Sequence, residues 1–308
     1  MAISFPIDEQ TSHWRFKPGS YMARIIGHEG PGSLHSYLKE RGWITTLSAG
    51  VQDLARGFAT FKITLYLSQN GLRESTLGLY IFCYLLMGFS KENYRQVGLA
   101  TFNYISMLRS TDLSPTYQTE KSALSNIRFR FLEKGRPDDY AVWVAEILSW
   151  PVPREFVIKA PQVVSEWDHD GTAKAVAIHT LNGLCVKNSR TVLMATQEKF
   201  QELLGTQQWE TEPWYGTQYR VERLDEAFVR EVHHFHLGSG TLNLMLSQAD
   251  GPNPIDAFYL PRPNEFIPKR LDVDKREISQ VCFYRFILRS SLKLTPLRLA
   301  PAASPFDI

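Results

Sequence analysis

Alternating apolar and polar residues predict two paired β-strands near the start of the chain. In Phe58–Leu67, apolar side chains recur at every second position, which is the period of a strand with one buried face. Trp43–Leu47 is also rich in residues that favour strands, so we expect these two segments to pair. Ile3–Ile7 and Thr191–Thr196 are further predicted strands.

Apolar residues at helical spacing predict two short helices separated by a glycine-rich turn. The first covers Tyr21–Ile26 and must end within GHEGPG at residues 27–32, because glycine and proline both disfavour a continuing helix. Ser33 is expected to cap the second helix, which ends at Gly42. The turn therefore has a backbone role whatever its chemistry.

Three longer helices are predicted in the middle of the chain, at Val97–Leu108, Thr116–Phe131 and Tyr140–Trp150. A proline precedes the second and third helices, where its missing N–H is harmless. Helices and strands thus follow one another in mixed order. This order indicates an α+β fold with a mixed or antiparallel sheet packed against helices.

Changes in composition along the chain suggest its organisation. Leu77–Phe89 is the most apolar stretch, but it is much shorter than the roughly 20 residues that span a bilayer, so we interpret it as a buried helix or strand. Gly238–Pro263 is rich in glycine and proline and is interpreted as a linker. We divide the chain into a main domain at 1–220, a linking region at 221–277 and a tail at 278–308.

Charge and cysteine content narrow the possible partners and compartments. The 34 basic and 32 acidic residues give a net charge of +2 without a dense basic run, so we expect no nucleic-acid or membrane partner. Cys83, Cys185 and Cys282 lie far apart, which argues against a disulfide framework. The N-terminal residues also lack the continuous apolar stretch of a signal peptide, so we expect a cytoplasmic protein.

No pattern of catalytic or metal-binding residues is recognisable in the sequence. Two imidazoles that share one zinc on a helix need a spacing of four residues, and His28 meets Gly32 at that position. The cluster of His233, His234 and His236 is more typical of a solvated segment or an adventitious metal binder. Motifs for a serine nucleophile or a phosphate-binding loop are also lacking. We therefore predict no catalytic residue, no metal ligand and no cofactor in this chain.

Specific short motifs connect the sequence to a known family. They are IGHEGPGSL at 26–34, RGW at 41–43, LSAG at 47–50, ARGF at 55–58, FRF at 129–131, EPWYGTQY at 212–219 and NEFIP at 264–268. In this order, over most of Phe5–Asp274, they resemble the insulin-degrading enzyme (insulinase or pitrilysin) family of zinc metallopeptidases. The region they cover resembles the second, non-catalytic domain of that family's N-terminal half.

The resemblance implies a two-halved zinc peptidase that encloses peptides in a chamber. Its zinc ligands and catalytic residues belong to an HxxEH motif in the first domain, which would precede Met1. On this expectation the chain is inactive alone, and zinc is bound by a domain that is absent here.

The resemblance also implies one function for the second domain: an exosite that anchors the N-terminal end of a peptide as an added strand. The matching positions are Gly27, Leu47, Ser48 and Ala49. The alternative is that Gly27 only ends a helix and Leu47 only packs. The family often has glycine in place of Ala49 and histidine in place of Ser20 and Arg24, so contacts with a terminal amine are expected to be weaker.

Two functions therefore remain open at the level of sequence. The chain is either a peptide-anchoring part of a zinc metalloendopeptidase, with other domains of such an enzyme as partners, or a free-standing inactive binding or regulatory protein. Three tracts, 75–93, 238–255 and the residues after Glu277, do not resemble the family. We interpret them as translated intron or frame-shifted sequence, with lineage-specific insertion as the alternative.

Overall fold

The computed structural model describes residues 1–72, 93–168, 171–204, 209–224, 226–236, 258–268 and 271. The chain divides into two compact units, Met1–Ile267 and Pro268–Ile308. Only Pro268 and Leu271 of the second unit are described, so the elements below belong to the first. The apolar stretch Leu77–Phe89 and most of the three non-family tracts lie outside the described residues, and their interpretation stays a prediction.

Four strands form one antiparallel sheet with the order β2-β3-β1-β4. The strands are β1 (Ala2–Ile7), β2 (Ile44–Ala55), β3 (Phe58–Leu67) and β4 (Arg190–Val192). A second, two-stranded sheet pairs β5 (Glu210–Thr211) with β6 (Gln218–Tyr219). Within the described part of the chain, β2 and β4 are therefore the outer strands of the main sheet.

Nine helices occur among the described residues. They are α1 (Pro18–Ile26), α2 (Leu34–Glu40), α3 (Gln69–Leu72), α4 (Asn93–Ser110), α5 (Pro115–Arg130), α6 (Pro137–Ile147), α7 (Thr172–Gly183), α8 (Gln197–Leu204) and α9 (Glu226–His236). Short 3-10 turns occur at Thr11–His13, Arg154–Phe156 and Val186–Asn188. No helix of the described residues combines the length and the apolar character that crossing a membrane requires.

Serine side chains cap the starts of two helices, and the cap at Ser33 confirms the prediction. The Ser33 hydroxyl accepts a hydrogen bond from the Ser36 N–H at 3.1 Å, and Ser114 caps α5 through the Thr116 N–H at 3.2 Å. Each cap satisfies a donor that the helix itself leaves free. Pro137 opens α6, so this helix begins and ends three residues earlier than predicted.

The core lies where α1 and α4 pack on one face of the sheet. Ile3, Phe5, Phe61, Ile63 and Leu65 are fully buried there, which confirms the alternation predicted for β3. The partners of these side chains in α1 and α4 are also buried: Tyr21, Met22, Ile25, Ile26, Phe102, Tyr104 and Ile105. Burying so many large apolar side chains fixes α1 against the strands.

The segment interpreted as a linker contributes to this core at its described end. Residues 258–263 have neither helix nor strand, as predicted. Phe258 is nevertheless buried, with its ring centroid 4.9 Å from that of Tyr37 and 5.2 Å from that of Tyr104. This part of the segment thus packs on the main unit.

Candidate functional site

The directions of the backbone hydrogen bonds in the sheet determine which residues of β2 have their N–H and C=O groups on its outer edge. Met1 and Leu65 exchange two hydrogen bonds: the Leu65 N–H donates to the Met1 carbonyl at 2.8 Å, and the Met1 amine donates to the Leu65 carbonyl at 2.8 Å. Backbone groups alternate in direction along an antiparallel strand. Odd-numbered residues of β3 therefore bond to β1, and even-numbered residues bond to β2.

The pairing of β2 with β3 then gives the direction of the backbone groups in β2. Ser48 lies opposite Thr64 and Gly50 opposite Lys62, so both direct their N–H and C=O groups toward β3. Leu47, Ala49 and Val51 alternate with them and direct theirs away from β3, where no other strand of the described residues pairs. Such an edge offers unpaired donors and acceptors to an extended peptide.

Gly27 lies directly beside this edge, at the end of α1. Its N–H donates to the Ala23 carbonyl at 2.9 Å, and its φ of −83° is one that any residue adopts. A Cβ at Gly27 would lie 3.9 Å from both the backbone N and the Cβ of Ala49. The glycine therefore leaves open the space in front of the Ala49 N–H.

The four residues predicted for the site occupy different positions. Gly27 and Ala49 are brought together, and Ala49 is half-buried. Leu47 buries its side chain in the core, so it offers the edge only its backbone. Ser48 is exposed but bonds its backbone to β3, so among its polar groups only the hydroxyl is free of the ladder.

Val51 extends the same edge and was missed by the sequence analysis. The strand predicted at Trp43–Leu47 ends too early, because β2 continues to Ala55. The signal was the alternation of Leu47, Ala49 and Val51, which the polar neighbours Gln52 and Asp53 obscured.

The outer edge of β2 faces the polar side of α1, and we call the surface between these two elements the groove. Ser20, Arg24 and Gly27 have the spacing i, i+4 and i+7, which places them on one face of the helix. All three are half-buried, in contrast to the buried core face of α1. At its far end the groove opens into a cleft of about 170 Å³, whose lining includes Trp14, Lys17, Ser20, Val51, Asp53 and Trp150.

Basic side chains dominate the helical wall of this groove. Arg24 donates to the Glu120 carboxylate at 2.9 Å, and the Lys121 ammonium donates to the Ser20 carbonyl at 2.5 Å and to the Ser20 hydroxyl. The Lys17 ammonium donates to the Pro161 carbonyl at 2.7 Å. Helix α5 thus places two charged side chains against α1.

Burial and mutual repulsion shift the pKa values of these groups. Burial lowers the pKa of Lys17 to about 8. It lowers the pKa of Lys121 to about 7, and the positive charges of Arg24, Lys17 and Arg128 add to that shift. Burial raises the pKa of the Asp53 carboxyl and lowers the pKa of His28. Below pH 7 the groove therefore holds Lys17, Arg24 and Lys121 as cations that water screens incompletely, whereas above pH 7 Lys121 is mostly neutral.

The zinc expected for the family as a whole does not fit the described part of this chain. Within the described ranges, no three His, Cys, Asp or Glu side chains are grouped closely enough to hold a metal ion. His233, His234 and His236 belong to α9, and their side chains lie outside what is described. We derive no chemical step through a metal.

Two family models together match nearly all of the described residues. Residues 1–117 match the family described as "Peptidase M16 inactive domain". Residues 129–291 match "Middle or third domain of peptidase_M16", a match that extends beyond Glu277. The domain boundaries that we predicted at residues 220 and 277 stay predictions.

Relatives share the sequence over most of this chain. The A-factor-processing enzyme of Saccharomyces cerevisiae is 29% identical over 278 residues, which cover 89% of this chain and 22% of that protein. The insulin-degrading enzyme of Homo sapiens is 30% identical over 261 residues, which cover 85% of this chain and 21% of that protein. The chain therefore spans about a fifth of the length of these relatives.

The fold also agrees with a solved structure. The crystal structure of pitrilysin superposes with a TM-score of 0.65 at 21% identity, covering 89% of this chain and 24% of that chain. The predicted α+β, pitrilysin-like fold is confirmed by this match and by the antiparallel sheet packed against helices. This chain belongs to the M16 peptidase family, which includes the insulin-degrading enzyme and pitrilysin.

Proposed function

We propose that this chain anchors peptides by accepting their N-terminal segment as an added strand on the outer edge of β2. One observation carries the proposal: Leu47, Ala49 and Val51 direct their backbone groups outward, and Gly27, which has no side chain to obstruct them, lies beside the middle one, Ala49. Backbone pairing binds many sequences, because main-chain hydrogen bonds do not depend on side-chain identity.

The affinity expected from such an edge is low. Each hydrogen bond contributes about 1 kcal/mol net, and ordering the peptide offsets part of the sum. Dissociation constants of roughly tens of micromolar to millimolar follow. Binding of this strength suits a site that holds a substrate in place while other domains act on it.

In this proposal the chain holds peptides and does not cleave them. The description "inactive domain" for the family matched by residues 1–117 supports this division of labour. Hydrolysis and zinc then belong to another domain of a zinc metalloendopeptidase, and that domain is the natural partner of this chain. The scattered cysteines support a cytoplasmic location.

Gly27→Gln tests the anchoring site directly. A Cβ at this position would lie 2.8 Å from the Ala23 carbonyl oxygen, so the backbone at the end of α1 must shift for any side chain. Gly27→Ala introduces the same Cβ without the length of glutamine and is therefore the matched control. We expect Gly27→Gln to weaken peptide binding about tenfold or more, since a longer side chain blocks the incoming backbone. Gly27→Ala should weaken peptide binding less than Gly27→Gln does.

Fluorescence anisotropy of a peptide labelled at its C-terminal end measures both variants. Circular dichroism and thermal unfolding establish that each variant is folded. Equal affinities for the wild type and a folded Gly27→Gln protein would mean that Gly27 only ends the helix. In that case the edge does not anchor peptides in the way proposed.

A further inference from the structure

The charges along the groove are unbalanced. Glu120 is the one carboxylate that contacts α1 from α5 within the described residues, and it is already satisfied by Arg24 at 2.9 Å and by the Asn264 N–H at 2.7 Å. Lys17 and Lys121 have carbonyl and hydroxyl partners, with no carboxylate of the described residues within ion-pair distance. Arg128 is exposed on α5 and adds a further positive charge.

The opposite wall of the groove does not compensate this charge. No residue between Ile44 and Gln52 is charged, so the strand side is neutral along the edge. Asp53 is the one carboxylate among the described residues that line the cleft, and it lies beyond Val51, near the Gln10 backbone. An extended peptide beside Ala49 and Val51 would therefore face cations on its helical side, with the carboxylates of Glu29 and Asp53 confined to the two ends of the groove.

We propose that this groove selects peptides with acidic side chains in the segment that pairs with β2, and that it disfavours basic ones. The inference rests on the anchoring function proposed above and defines the class of substrate. An aspartate or glutamate on the side of α1 would face Lys121 and Lys17, the two lysines of the groove without a carboxylate partner among the described residues. A lysine at the same place would add one more positive charge.

Two physical features make the selection effective. The cations are partly buried, so their interaction with a bound carboxylate is less screened than at an open surface. Their positions are also fixed by hydrogen bonds before the peptide arrives, at 2.5 Å for Lys121 and 2.7 Å for Lys17. Little side-chain entropy is then lost on binding.

The test compares three peptides of identical length and C-terminal label. They carry glutamate, glutamine or lysine at both the second and the third residue, so that one of the two faces α1 whatever the register. Anisotropy titrations of the full chain at about pH 6, where Lys121 carries its proton, should give the order glutamate, glutamine, lysine, with about fivefold between neighbours at low salt. Raising NaCl from about 50 mM to about 500 mM should bring the three affinities together.

Variants identify which charges act. Lys121→Gln keeps a donor for Ser20 but removes the charge, and it should reduce the ratio of glutamate to glutamine affinity. Arg128→Gln removes an exposed charge that does not hold the fold, and it should act in the same direction. Lys62→Gln is the matched control, because Lys62 is exposed on the face of the sheet away from α1 and should leave the ratio unchanged.

The outcomes separate this inference from the anchoring function. If the glutamine peptide binds and Gly27→Gln abolishes its binding, the anchoring function stands. Equal affinities for all three peptides would then overturn the charge selection alone. If the glutamine peptide does not bind, or binds Gly27→Gln equally well, the anchoring function fails instead. A preference for glutamate that Lys62→Gln reduces as much as Lys121→Gln would reveal non-specific attraction and would also overturn the selection.

Discussion

At the scale of single residues, two glycines of the GHEGPG turn are required for different reasons. Gly32 has a φ of +77°, which side chains rarely adopt, and a Cβ there would lie 2.4 Å from the Tyr259 ring. Gly27 has an ordinary φ, and the space it leaves open lies in front of Ala49. Sequence alone predicted that the turn has a backbone role, but the distinction depends on residues distant in the sequence. Gly32 is thus explained by backbone conformation and packing, whereas Gly27 avoids a clash with the Ala23 carbonyl and also leaves space beside Ala49.

Lys121 leads to a prediction about stability and pH. Its pKa is about 7 in the folded chain and about 10.4 in an unfolded one, so from pH 7 to 10 the unfolded chain binds more protons. The free energy of unfolding should therefore rise with pH in this window, by at most about 1.4 kcal/mol per pH unit for one lysine. Lys17, with a pKa of about 8, acts in the same direction.

Urea unfolding at pH 7, 8 and 9 measures this slope. Lys121→Met should make the rise shallower, because it removes one of the two groups. Lys62→Met, at an exposed position, should keep the slope of the wild type. Parallel slopes for wild type and Lys121→Met would show that Lys121 titrates as it does in water.

At the scale of elements, the sequence predicted the strand whose side chains alternate between buried and exposed. It missed the part of a strand that forms only through pairing with its neighbour. β3 was predicted with its observed bounds because every second residue is buried. The second half of β2 is mostly exposed and is a strand through its pairing with β3, which local sequence does not encode. Helix α7 was not predicted, because its buried positions Ala173 and Ala177 are small and give a weak apolar pattern.

Proline substitutions test the phase of β2. Ala49→Pro removes an N–H that points outward, whereas Gly50→Pro removes one that points toward β3. We expect Gly50→Pro to destabilise the fold by about 1–3 kcal/mol more than Ala49→Pro, since the Lys62 carbonyl opposite Gly50 loses its donor in the ladder. Ala49→Pro should instead weaken peptide binding.

Denaturant unfolding gives the first comparison and peptide titration the second. The two measurements are expected to separate the variants in opposite order. If Ala49→Pro proves the more destabilising of the two, the phase assigned to the edge is reversed, and Ser48 and Gly50 would offer their backbone groups outward.

At the scale of the whole molecule, the family was predictable from motifs, but the surroundings of several motifs were not. In EPWYGTQY, the Glu212 carboxylate accepts from the N–H groups of Trp214 and Tyr215 at 2.8 and 2.7 Å, which organises the turn between β5 and β6. The Trp214 ring is 86% exposed and the Tyr215 ring 91% exposed. The backbone of this motif thus has a structural role, while the described residues do not cover its two rings.

The last prediction concerns chemistry. Catalytic zinc needs about three protein ligands and an activated water with a general base nearby. The described residues hold no such group. We therefore expect the purified chain to retain no stoichiometric zinc after dialysis and to leave a quenched fluorescent peptide uncleaved. Elemental analysis and the peptide assay measure the two outcomes. The variant that lacks His233, His234 and His236 is the control, because these histidines are the cluster most able to capture metal adventitiously. One tightly held zinc per chain that persists in this variant would contradict the prediction, and cleavage dependent on that zinc would make the chain itself a peptidase.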